Sequence, residues 1–131
     1  MSDSVRILNR TREIVLGTRI ELADSWWARL RGYLGRKNPP LPGEGILLVS
    51  CSAIHTYGMQ FELDVIFLDA GGMVLQTISD MQRWTRSPRV AGARYVLEVP
   101  SGTIRRTGTS IGDALTWRPL DALALKPTEV V

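Results

Sequence analysis

Chemistry has few places to reside in this chain. One cysteine and one histidine occur in 131 residues, and they stand four apart, Cys51 and His55, in the stretch CSAIHTYG. A cysteine acts as a nucleophile through its thiolate, which needs a base or cation beside it, and His55 is the residue able to serve. Position alone assigns no third, orienting group, and a lone cysteine next to an apolar strand reads equally well as a small core residue. Two carboxylates follow, Asp64 and Asp69. His55 as base with Asp64 or Asp69 orienting it describes a small hydrolase-like enzyme. The same residues with Cys51 form a weak cation set. A structural zinc site wants four ligands, mostly Cys and His, and the chain has one of each, so neither metal nor cofactor is expected. Asp64 is the most informative acid. Phe61, Leu63, Val65 and Ile66 surround it in sequence, and a covered carboxylate must be ion-paired or strongly hydrogen-bonded. Arg29, Arg36, His55 and the arginines of 83–94 are its candidate partners, and anchoring a loop through such a bond is a simpler role for it than catalysis.

The cationic residues form a second pattern. Arginine outnumbers lysine 14 to 2, and the net charge is +3. Residues 51–82 hold four acids and no Lys or Arg, whereas residues 83–106 hold six arginines against Glu98 alone. Such a segment suits an anion-facing surface or, more plainly, a solvated face. Trp84 among Arg83, Arg86 and Arg89 can stack a ring while guanidinium groups hold an anion. The charge is too modest, and motifs too absent, for a dedicated nucleic-acid binder, so nucleic acid is not expected as a partner. The candidate ligand residues are Arg36, His55, Thr56, Asp64, Arg83 and Trp84. Because no established nucleophile or metal motif is present, the preferred reading is a non-catalytic binding module for a small anionic ligand or a protein partner, with the enzyme as alternative. A deep pocket bringing His55 within hydrogen-bond reach of a carboxylate favours the enzyme; a shallow basic groove favours binding.

The elements that must position these groups are mostly strands. Val5 to Leu8 and Glu13 to Leu22 alternate with the period of half-buried strands, with a break expected at Gly17. An amphipathic helix is expected over 25–34, where Trp27, Leu30 and Leu34 share a face and Gly35 suits the C-cap. RKNPPLPGEG (36–45) is irregular. Ile46 to Val49 is a short strand. Phe61 to Leu68, the turn Ala70-Gly71-Gly72 and Met73 to Ile78 form a hairpin expected at the centre of the sheet. Ala93 to Val99 and Ala114 to Arg118 complete the strands, with a short helical turn at 101–107 capped by Ser101 and closed by Gly108. The fold class is therefore mainly β, a compact antiparallel sandwich or barrel, as one domain over residues 4–120 with a tail at 121–131. No apolar run approaches the roughly 20 residues that span a bilayer. One cysteine forms no intramolecular disulfide, and the charged N-terminus lacks a signal-peptide core, so the expected location is cytoplasmic.

RLRGYLGR (29–36), AIHTYGMQFELDVIFLD (53–69), ARYVLEVPSGT (93–103) and the Gly112-Asp113 pair occur in one order and spacing. Together they resemble the bacterial and archaeal family called domain of unknown function 192, over about residues 8–118. The resemblance implies a compact, β-rich single domain and carries no established activity. Many exported members have an aromatic residue near the position of His55, and this chain resembles the cytoplasmic branch with Ile-His-Thr instead.

Overall fold

The computed structural model describes residues 4–25 and 32–119. Seven strands form one sheet: β1 (Ser4–Asn9), β2 (Ile14–Ala23), β3 (Glu44–Val49), β4 (Leu63–Leu68), β5 (Val74–Met81), β6 (Tyr95–Pro100) and β7 (Leu115–Pro119). Their order is β5-β4-β6-β3-β2-β1-β7, with β2 and β3 parallel and every other pair antiparallel. The sheet curls into a half-barrel. Its two edges meet at one end, where Met73 bridges Ala114 and the Leu115 N–H donates to Gly72 O. Gly72 is required at this closure. A Cβ there would sit 2.3 Å from Leu115 O, and its φ of 90° is the left-handed region that glycine tolerates.

Alternation along the strands sorts the apolar residues onto two faces. Val5, Ile7, Leu16, Ile20, Leu47, Ile66, Leu68, Leu97, Val99 and Leu115 fill the curl. The opposite face of β3, β4 and β6 buries Ile46, Leu48, Leu63, Val65, Phe67 and Val96 under Tyr33, Met59, Phe61 and Ala93. β4 is buried at all six positions, and each fully buried aliphatic or aromatic side chain contributes about 1.5–3 kcal/mol. The sheet is thus covered on both sides of β4, and the 51–61 segment is part of the outer cover.

Three expectations need correction. The hairpin of residues 61–79 forms, but β5 is an edge strand, not a central one. β2 is unbroken at Gly17; the irregularity is a register shift in its pairing with β1, and Thr18 and Arg19 there both donate to Gly43 O. Ser101 does not cap the short helix α1 (Thr103–Thr107). Gly102 is the N-cap residue with no side-chain bond, and the Ile104 N–H donates instead to Asp64 Oδ2 at 2.8 Å. The orphan donor of the first turn is satisfied from β4, forty positions away. Gly108 closes α1, as expected, its N–H donating to Ile104 O. The helix expected over 25–34 lies largely outside the described residues.

A buried polar cluster ties the closing end together. Asn9 Nδ2 donates to Asp113 Oδ2 (2.9 Å) and Thr109 Oγ1 (3.2 Å), and Arg12 Nε donates to the same Asp113 oxygen at 2.6 Å. Burial opposes ionisation of Asp113, but the bonds from Asn9, Arg12 and the Ser110 N–H, with the Arg12 charge, outweigh it and hold its carboxyl below the usual range.

Candidate functional site

Two long loops, 50–62 and 82–94, are laced to each other over the outer face of the sheet. The Thr56 N–H donates to Thr85 O and the Trp84 N–H to Thr56 O, while the N–H groups of Ser87 and Val90 donate to Ile54 O and Ser52 O. His55 and Arg86 form an isolated antiparallel bridge. Thr56 is the hub: fully buried, its hydroxyl donates to Gln82 O at 2.6 Å and accepts from the Thr85 N–H at 2.9 Å. Ser87 is a second rivet, accepting from the Ile54 N–H at 3.0 Å. Met59, Phe61, Ile54 and Val90 pack beneath onto the β3–β4–β6 face. Loops of this length need such anchoring to present a defined surface.

The anchored loops hold an exposed aromatic row. The rings of His55 and Tyr57 are stacked, centroids 5.0 Å apart and planes 24° apart, and Tyr57 lies 6.4 Å from Trp84. His55 Nδ1 accepts the Tyr57 N–H at 3.3 Å. Trp84 is 66% exposed, an uncommon state for an indole. It is also one of four non-glycine residues at positive φ among the described residues, at 61°. A left-handed bulky residue costs on the order of 1–3 kcal/mol, a strain that collects at functional sites. Beside the row runs a shallow groove lined by Ala53, Ile54, His55, Arg86, Ser87 and Arg89. Residues 51–61 and 81–94 together contain Arg83, Arg86, Arg89 and Arg94 and no Asp or Glu, so this face is basic.

The other sequence candidates fall elsewhere. Asp64 is buried, its Oδ1 accepting from the Asp80 N–H at 2.9 Å and its Oδ2 from the Ile104 N–H. It answers the need for partners with backbone donors, not with arginine or His55. Asp69 Oδ1 accepts from the Gly71 and Met73 N–H groups, 2.9 Å each, and shapes the β4–β5 turn. Neither carboxylate is bonded to His55. The Cys51 thiol, half-buried, donates to Ala53 O at 3.2 Å. Among the described residues, no three His, Cys, Asp or Glu side chains gather as metal ligands. Of the proposed ligand residues, His55 and Trp84 come together through Tyr57, Arg83 is exposed next to Trp84 on the same loop, Thr56 lies beneath them, and Arg36 and Asp64 are in other surroundings.

Arg36 belongs to a separate cluster that the sequence reading did not assemble. Its Nη2 pairs with Glu21 Oε2 at 3.2 Å and its guanidinium lies 4.9 Å over the Tyr33 ring. Val65, Glu98, Ile46 and Glu21 are consecutive partners across β4, β6, β3 and β2 and so share one face. Glu98 is buried there, and its Oε1 has no hydrogen-bond partner among the described residues. Burial pushes its carboxyl from 4.5 to about 7, against the pull of Arg36. Burial likewise drives the Tyr33 phenol well above its ordinary range, Arg36 opposing and Glu98 adding to the shift. The signal for Glu98 was present in the sequence: an acid inside the apolar run Val96 to Val99. Tyr57 carried none beyond its place between His55 and Gly58.

With this geometry in view, comparison places the chain. The model of the family described as DUF192, uncharacterised ACR, matches residues 7–117. The chain belongs to the DUF192 family. Its relatives include a UPF0127 protein of Thermococcus sibiricus, 30% identical over 130 residues (95% of this chain, 82% of that one), and one of Thermococcus gammatolerans, 34% identical over 117 residues (85% and 74%). Solved structures share the fold: a protein of unknown function from Novosphingobium aromaticivorans, with TM-score 0.74 and 21% identity (87% of this chain, 84% of that one), and a protein from Sinorhizobium meliloti, with TM-score 0.72 and 24% identity (89% and 94%). The DUF192 fold expected from the sequence is therefore found, and no described helix of this member is long and apolar enough to cross a membrane.

Proposed function

We propose that this DUF192 domain is a binding module that docks an acidic segment of a protein partner on the His55–Tyr57–Trp84 face. The observation that carries the reading is Trp84, held outward at a strained φ beside Tyr57, with four arginines and no acid in residues 51–61 and 81–94. Trp, Tyr and Arg are the residues that dominate protein interfaces, because each buries a large area at small entropic cost and keeps a polar handle. The groove is open and shallow, whereas small molecules favour enclosed pockets, so an extended segment fits better than a compact ligand. Opposite charge along the arginines would speed encounter and set orientation. Catalysis by His55 finds less support, since Asp64 spends both oxygens and Asp69 its Oδ1 on backbone N–H groups, and neither is bonded to His55. One cysteine in the chain supports a reducing compartment, hence the cytoplasm.

A photoreactive amino acid in place of Arg89, with one in place of exposed Leu41 as control, tests this in cells. Adducts specific to position 89, mapped by mass spectrometry to Asp- and Glu-rich segments, are expected. Identical adducts from both positions, or none from 89, would remove the proposal.

A further inference from the structure

The opposite edge of the sheet carries a different anomaly. β1 and β7 pair so that Arg6 stands directly opposite Arg118 and Leu8 opposite Thr116. Val5, Ile7, Asn9 and Leu115 point inward and are buried, so the residues alternating with them face out, and Arg6, Arg10, Thr116 and Arg118 are all exposed. They surround a cleft completed by Leu8 and Trp117. Like charges opposite each other on an antiparallel pair, with Cβ atoms about 5 Å apart, repel and destabilise the pairing. No ion pair among the described residues relieves this. Among the described residues the ion pairs join Arg12 to Asp113 and Arg36 to Glu21, and none reaches Arg6, Arg10 or Arg118. Arg12, two positions from Arg10, has its acid; these three do not.

Three guanidinium groups and a hydroxyl around one cleft, with no acid among its described lining residues, are the donor set for a multivalent tetrahedral anion. The planar fork of arginine matches phosphate oxygens two at a time, and a dianion bridging Arg6 and Arg118 would turn the repulsion into attraction. We propose that this cleft is a phosphate site for a small soluble ligand bearing a phosphate or pyrophosphate group. A lipid surface fits poorly: among the described residues the large exposed apolar side chains are Leu41, Tyr57, Met73, Trp84 and Ile111, and none of them lines the cleft to insert into a bilayer. The site stands apart from the Trp84 face and does not depend on the reading given to it.

Thermal melts of the whole chain, in chloride and in inorganic pyrophosphate at matched ionic strength, supply the test. Pyrophosphate should raise the wild-type midpoint in a saturable manner. Arg118→Gln should weaken the apparent affinity about tenfold or more, the loss expected for one charge-assisted contact. The same variant should melt no lower than wild type in chloride, because the repulsion with Arg6 is gone. Arg105→Gln, at an exposed arginine that lines neither the cleft nor the Trp84 groove, should keep the full response. An equal response in wild type and Arg118→Gln, no response in wild type, or a lower melting point of Arg118→Gln in chloride would each overturn the proposal.

Discussion

Glu98 is the side chain whose proton bears most directly on the fold. Its carboxyl sits at about 7 in the folded protein against an ordinary 4.5, because burial disfavours the charge more than Arg36 restores it. The folded state therefore holds the proton more tightly than the unfolded chain. Its contribution to stability is complete below the unfolded value and is lost as pH rises through about 7. At about 1.4 kcal/mol per unit, ionising Glu98 in place costs on the order of 3 kcal/mol. Urea unfolding of wild type should show that loss between about pH 5 and pH 8, and Glu98→Gln should flatten it. An unchanged slope in Glu98→Gln would assign the proton elsewhere. Asp113 has the opposite sign: its carboxyl lies below the usual range, so its contribution is lost as pH falls. The two acids also show what is readable at this scale. Asp64 and Glu98 bear the same mark in sequence, a charge within an apolar strand. Which one meets backbone donors and which is left with a bare oxygen depends on register across strands distant in the chain, a non-local property.

At the scale of elements, Asp64 acts as a clamp among β4, β5 and α1. One oxygen receives the Asp80 N–H, where β5 shifts register and Asp80 itself is at φ 51°, and the other receives the first turn of α1. Asp64→Asn keeps one acceptor but turns an amide toward the other N–H, so a buried donor is left unpaired. The expected cost is about 2–3 kcal/mol by chemical denaturation. A change below about 0.5 kcal/mol would mean that the bonds contribute nothing net. The strands themselves were legible because period-2 alternation survives in a sheet covered on both faces: Phe61, Leu63, Val65 and Phe67 share the outer cluster, Ile66 and Leu68 the inner. The N-cap of α1 was not legible. A local rule pointed to Ser101, and a carboxylate from another strand won, since a donor is indifferent to the sequence distance of its acceptor. The place of the 61–79 hairpin was hidden for a similar reason, because continuous apolarity reports burial and not strand order. β4 is doubly covered while its partner β5 forms an edge.

For the whole molecule, the curled sheet serves as a frame with two basic faces. One is the laced pair of loops carrying His55, Tyr57 and Trp84; the other is the β1–β7 edge. The sequence supplied His55, Arg83 and Trp84 as separate candidates from two segments about thirty residues apart. Only the pairing of Thr56 with Thr85 and of Ile54 with Ser87 makes them one surface. The central claim is that this surface docks an acidic protein segment. An NMR titration of the labelled protein with a glutamate-rich peptide tests it most directly. The account predicts shifts concentrated in the Trp84 indole N–H and the amides of residues 53–58 and 83–90, weakened by added salt and abolished in Trp84→Ala with Arg86→Glu. Shifts confined to the β1–β7 edge, or an unmoved Trp84 indole at saturating peptide, would contradict it.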